Sequence, residues 1–200
     1  MPPFLAPISS IAAVLRRFRR SRAGSAAVEF ALVAPVFFAL LFAIIETGMV
    51  FFANQMLETV TQDSARVIQT GQAMTPGGIS TTQTGPLTEA QFQQQVVCPD
   101  VPALFNCNNI SIDVESYPPT QAWPASFSNQ IDSNGNFIAN NLQYNTGGPC
   151  DVVIVRLFYQ WPLFVTGLGY NISNLAGNKR LLWGSAAFRN EPYAGVCPSS

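Results

Sequence analysis

Twenty-four consecutive residues, Phe30 to Ala53 (FALVAPVFFALLFAIIETGMVFFA), carry a single charge, Glu46. A run of this length exceeds the roughly 20 apolar residues that a helix needs to cross a bilayer, so it predicts a membrane span. Five arginines, Arg16, Arg17, Arg19, Arg20 and Arg22, stand just upstream. Basic residues beside a span mark its cytoplasmic side, which puts the N-terminus in the cytoplasm and the chain beyond about residue 54 across the membrane. A cleaved secretory signal would have an apolar region of ~7–15 residues and an A-x-A-like site after it. The run here is longer and no such site follows, so the segment is expected to stay in the mature protein. Pro35 lies inside it and is read as a tolerated kink, as membrane helices accommodate proline.

The helical pattern continues past the apolar run. Phe52, Met56, Val60, Ser64 and Val67 with Ile68 recur at spacings of four and three, while Asn54, Gln55, Glu58, Gln62 and Asp63 fill the other faces. The helix is predicted to persist to about Thr70 and to stop near Gly71, ahead of Pro76-Gly77-Gly78. Its rise of 1.5 Å per residue would make it roughly 65–70 Å long, half span and half amphipathic stalk.

Charge excludes one class of function. Charged residues make up 10% of the chain and the formal net charge is −1. Removing the first 24 residues leaves five basic and eleven acidic groups, a formal charge of −6. Such a body has little with which to neutralise phosphates, so nucleic-acid binding is disfavoured.

Four cysteines, Cys98, Cys107, Cys150 and Cys197, all follow the apolar run. An even count in a polar domain across the membrane points to disulfides, with three possible pairings. A four-thiolate zinc site is the competitor, but no CxxC knuckle is present. Cys98 and Cys107 are near neighbours around Pro99 and Pro102, and a Cys150–Cys197 bridge would hold an end that otherwise frays. The favoured pairing is therefore Cys98–Cys107 with Cys150–Cys197.

The remaining elements follow from local patterns. Residues 71–87 have the composition of a flexible surface loop. Thr88 and Gln91 form a capping box that opens a short helix toward Val97. Ile110–Tyr117 alternates apolar and polar residues, as a half-buried strand does. Asp151–Tyr159 is more continuously apolar and is the best central strand, with Leu181–Phe188 a third. Residues 118–149 read as irregular. The fold class is α+β: a long N-terminal transmembrane and stalk helix, then a small domain with an antiparallel sheet packed on helix. Trp161, Phe164, Trp183 and Phe188 are assigned to core packing. The chain has no histidine, so Ser-His-Asp and Cys-His catalysis are excluded. Ser185 lacks a Gly-x-Ser-x-Gly frame, and no phosphate-cradling glycine loop is present. No enzyme activity, cofactor or metal is expected.

The most informative motif stands at the head of the apolar run, Gly24-Ser25-Ala26-Ala27-Val28-Glu29-Phe30. It resembles the processing site of class IV prepilins, where a basic leader ends in glycine and a glutamate follows five positions later. Flp-type pilins have tyrosine after that glutamate; Phe30 keeps the ring and lacks the hydroxyl. Gly24 presents no side chain to a protease cleft and takes extended conformations cheaply. Glu29 at the start of a span is unfavourable and calls for a reason. The bland one is a carboxylate snorkelling to the head groups near Arg22. The functional one is pairing with the α-amine that cleavage would free on Ser25 of a neighbouring subunit.

The longer stretch AAVEFALVAPVFFALLFAIIETG is similar to the TadE-like family, through Val28-Glu29-Phe30-Ala31-Leu32, Pro35 and Glu46-Thr47-Gly48. Val155–Pro162 and Arg189–Tyr193 also resemble segments of that family. The resemblance implies a minor pseudopilin of a bacterial tight-adherence (Tad) pilus system, supporting adhesion. It implies a cytoplasmic leader over 1–24, a transmembrane and stalk helix over 25–70 and a periplasmic α+β domain over 71–200. The implied partners are the inner membrane, a prepilin peptidase, other Tad pilins and pseudopilins, and the Tad assembly platform. Glu29 and Glu46 are the candidate partner contacts. Glu46 lies 17 residues beyond Glu29, roughly 25 Å along a helix and about 100° around it, so the two cannot form one catalytic pair. A type II secretion pseudopilin and a signal-anchored periplasmic binding protein are the rival readings.

Overall fold

A computed structural model describes residues 24–121, 129–166, 170–193 and Cys197. The arginine cluster lies outside the described residues. Two compact units are present, Met1–Ile44 and Ile45–Ser200.

One helix, α1 (Ser25–Gln69), accounts for the described part of the first unit beyond Gly24 and for the start of the second. It runs unbroken through Pro35. It is long and apolar enough to cross a membrane. Between Val28 and Ile44 the large apolar side chains Phe30, Leu32, Val33, Phe37, Leu40, Phe42 and Ile44 are all exposed. A helix that is apolar all round has no water-facing side and needs a non-aqueous surrounding.

The second unit begins at Ile45. From Val50 onward α1 packs into a core with the sheet rather than only leading to it. Its buried face is Val50, Ala53, Leu57, Val60, Thr61, Ser64, Ala65 and Ile68. Of the predicted stripe, Val60, Ser64 and Ile68 are buried, Met56 and Val67 sit at its margin and Phe52 is exposed. The stripe is displaced toward Leu57 and Thr61, where the helix comes against Gly184 of the sheet. A Cβ at Gly184 would stand 3.0 Å from the Glu58 Cα and the Leu57 carbonyl oxygen, so any side chain would push helix and sheet apart.

The helix ends as predicted. Gly71 adopts φ 76°, a left-handed conformation that glycine takes without strain, and its N–H donates to the Ile68 carbonyl at 2.9 Å. The Glu191 N–H donates to the Gln69 carbonyl at 2.9 Å, satisfying one of the orphan acceptors of the last turn. Residues 71–87 are more than surface loop, since Ala73 and Leu87 are buried and bonded to each other through Leu87 N–H and Ala73 C=O at 2.8 Å. Thr88 caps α2 (Glu89–Phe92) with the full reciprocal capping box to Gln91. A π-helical turn, Gln93–Val97, and a last helical turn, α3 (Cys98–Asp100), follow.

The sheet is three-stranded and wholly antiparallel, in the order β1 (Ile110–Tyr117), β2 (Val152–Pro162), β3 (Lys179–Arg189). The central strand is the one with the most continuous apolar sequence. Ile110, Ile112 and Val114 of β1 join Val153, Val155, Leu157, Tyr159 and Trp161 of β2 and Leu182 of β3 in the core shared with α1. The opposite face carries a buried ion cluster. Arg156 Nε donates to Asp113 Oδ2 at 2.7 Å and its Nη2 reaches Asp113 and Glu115. Asp113 is 1% exposed, so the alternation in β1 does not mark a wet face. The residues 129–145 cover it, with the Gln143 N–H donating to Asp113 Oδ1 at 2.8 Å. Burial raises the Asp113 pKa, while the Gln143 amide and Arg156 pull it back.

Both outer edges of the sheet are engaged at mid-strand. On β3 the Trp183 and Ser185 amides donate to the Asn54 and Glu58 side chains of α1, at 3.4 and 3.1 Å. On β1 the Val114 amide donates to Gln143 C=O at 2.7 Å and its carbonyl accepts from Asn145 at 2.8 Å. Two disulfides, Cys98–Cys107 and Cys150–Cys197, join Cα atoms 5.5 Å apart in each case. They are the pairing that chain position favoured.

Candidate processing and assembly site

The residues that sequence reading singled out fall in two places along α1. At its head, Gly24 immediately precedes the first residue of α1, Ser25. Glu29 and Phe30 lie in the second turn, both exposed. The fold places no steric demand on Gly24. A Cβ built there meets nothing within 4 Å, and its φ is not in the left-handed region. This glycine therefore has no explanation within the described fold, unlike Gly71 and Gly184.

Glu46 is the opposite case. It sits in the apolar run, yet is only 6% exposed. The sheet supplies the cover. After β2 the chain turns at Leu163, and the amides of Phe164 and Val165 point at the Glu46 carboxylate. Phe164 N–H donates to Oε1, and Val165 N–H reaches Oε1 and Oε2 at 3.2 and 3.1 Å. Next to it the Thr47 and Tyr170 hydroxyls are hydrogen-bonded. A carboxylate in an apolar environment is costly unless charge-assisted bonds satisfy it, and two convergent peptide amides do so. Glu46 thus anchors the loop after β2 to α1. The sequence did not reveal this, because the partners lie 118 and 119 positions away and act through backbone N–H groups that any residue would supply.

Of the aromatic residues assigned to the core, Trp161 is buried against Phe105 and Tyr159, and Phe188 packs at the core's margin. Phe164 and Trp183 are corrections. Phe164 is 84% exposed and Trp183 53%. Trp183 lies on the sheet face away from the core, and Phe164 projects from the loop held by Glu46. The outer face of the sheet also bears a groove of about 460 Å³ lined in part by Ile154, Arg156, Phe158, Leu181 and Trp183.

Residues 24–66 match the model of the family described as TadE-like protein. The match opens on Gly24 and takes in Glu29, Phe30, the apolar run, Glu46 and most of the remainder of α1. The stretches Val155–Pro162 and Arg189–Tyr193 lie outside it. No curated protein and no solved structure matches the chain significantly.

Proposed function

We propose that this chain, TadE-like over residues 24–66, is a minor pseudopilin-like subunit of a Tad (Flp type IVb) pilus system that supports adhesion. The family ties it to the Tad machinery in general; the pseudopilin role is our reading. The observation that carries it is the coincidence at Gly24. The family match, the start of α1 and the glycine of the prepilin-type spacing to Glu29 all fall at this point. The fold itself gives Gly24 no reason to be glycine. A peptidase cleft that must admit backbone supplies one.

In this reading the chain is a substrate of a prepilin peptidase and has no enzymatic activity of its own. Cleavage after Gly24 frees the α-amine of Ser25, which pairs with Glu29 of a neighbouring subunit and sets the register of assembly. Its partners are the inner membrane, other Tad pilins and pseudopilins, and the assembly platform. The arginine cluster keeps the N-terminus cytoplasmic and the sheet domain stands in the periplasm. Two disulfides accord with an oxidising compartment.

Mass spectrometry of protein from a peptidase-positive strain should find a mature N-terminus at Ser25, and Gly24→Leu should abolish the cut. An intact leader in both peptidase-positive and peptidase-negative strains would sink the pseudopilin reading. Reporter fusions after residue 70 should be active only with periplasmic reporters. Cytoplasmic activity there would refute the topology. The groove on the outer sheet face falls in the size range of small-molecule sites and supports one rival, a signal-anchored binding protein. That rival predicts an uncut chain.

A further inference from the structure

We infer that the loop Leu163–Thr166 is a membrane-seated foot of the sheet domain, with the Phe164 ring inserted among the lipids at the outer boundary of the bilayer. The inference rests on the reading of α1 as a membrane span and is independent of the Tad assignment. Phe164 has the highest fractional exposure of the large apolar side chains described, 84%. Its neighbour Leu163 is buried at 7%, so the chain turns outward at Phe164 itself.

Its depth is fixed by the helix. The amides of Phe164 and Val165 are bonded to Glu46, and Tyr170 to Thr47, so the loop sits at the level of residues 46 and 47 of α1. A hydrocarbon core of ~30 Å takes about 20 helical residues at 1.5 Å each. Ala26 to Ile45 fills that length, and Glu46 then stands at its outer boundary. The interfacial layer adds roughly 5–8 Å on each side, and the Phe164 backbone lies inside it. Moving the span's register toward Ala53 carries the loop deeper into lipid and never out of it.

The surrounding helix surface has the same character. Ile45, Met49, Phe51 and Phe52 are all exposed around and just past Glu46. Water is a poor solvent for such a collar, whereas a bilayer interface accepts aromatic rings. The Glu46 anchor fits this placement, because its two amide partners satisfy the carboxylate without water. Lipid is favoured over a protein occupant because the loop is bonded to residues 46 and 47, which directly follow the apolar residues of the span in sequence.

Spin labels at single introduced cysteines test this in the full chain, reconstituted in phosphatidylethanolamine–phosphatidylglycerol nanodiscs. The native cysteines are paired and do not compete for label. Phe164→Cys is the test position, Asp132→Cys the aqueous reference and Leu40→Cys the reference inside the span. The expected result is an oxygen-to-nickel-chelate accessibility ratio at 164 severalfold above that at 132 and below that at 40. A ratio at 164 equal to that at 132 would overturn the foot. Low accessibility to both reagents would also overturn it, by showing a protein partner over the ring. An aqueous reading at position 40 would remove the membrane span, and the foot with it, while leaving N-terminal processing to its own assay.

Discussion

Glu46 and Gly24 show how differently single residues can be explained. Glu46 is explained from inside the fold, by two amides that converge on it. Replacing it with alanine leaves those amides without their charged acceptor, and hydrogen bonds to charged groups contribute about 1.5–3 kcal/mol each. Glu46→Ala should therefore destabilise the sheet domain by roughly 2 kcal/mol, since bonds to one acceptor are not additive. Urea unfolding of the detergent-solubilised protein measures it, and Glu46→Gln should recover part of the loss because its carbonyl oxygen still accepts. Gly24 is unconstrained by the described fold, so its substitution should leave stability unchanged and alter processing alone. The sequence made Gly24 conspicuous and Glu46 merely unusual. A motif read along the chain finds the first kind of residue, whereas a side chain bonded to a distant backbone leaves no local mark.

Among the elements, β1 was read correctly to its ends and misjudged on its outer face. Period-two alternation reports that the two faces differ; it does not report what covers the polar one. Here the cover is the irregular segment 129–145, whose low-periodicity sequence gives no register. Asp113 and Arg156 are opposite one another in the β1–β2 register, a pairing visible only once the strands are aligned. Arg156→Met should cost about 3 kcal/mol, as expected when one partner of a buried ion pair is removed. The deficit should depend on pH in a definite direction. Burial already raises the Asp113 pKa, and losing Arg156 removes an influence that lowers it. The native state of the variant then holds a proton more tightly than the unfolded chain, whose aspartates titrate near about 3.9. Native stability relative to wild type should recover as pH falls from neutral toward that value. Unfolding midpoints at pH 7 and pH 5 check the sign. The helical elements were the most legible, because capping box, terminal glycine and apolar run are all local signals. The exception was the buried stripe of α1, which is displaced to the face that approaches Gly184 through Leu57, Glu58 and Thr61.

For the whole molecule, the disulfides fasten what the sheet leaves loose. Cys98–Cys107 closes the link from helix to β1, and Cys150–Cys197 ties the terminal segment to the entry of β2. Cys150 has φ 68°, an uncommon conformation for a residue with a side chain, and hydrogen bonds to Asn190 and Arg189 hold it. Its 47-residue separation corresponds to roughly 4 kcal/mol on the chain-entropy account. Reduction, or Cys197→Ser, should lower stability by that order in urea unfolding, with the shorter bridge contributing less. The sheet's two engaged borders have a consequence for how such chains can join. Asn54 and Glu58 occupy the amides at one border, and residues 143–145 occupy the other. A partner strand arriving at either side finds the central hydrogen-bonding groups already taken. Strand donation at these central positions is thereby opposed, because an incoming strand would have to displace bonds the domain already makes to itself.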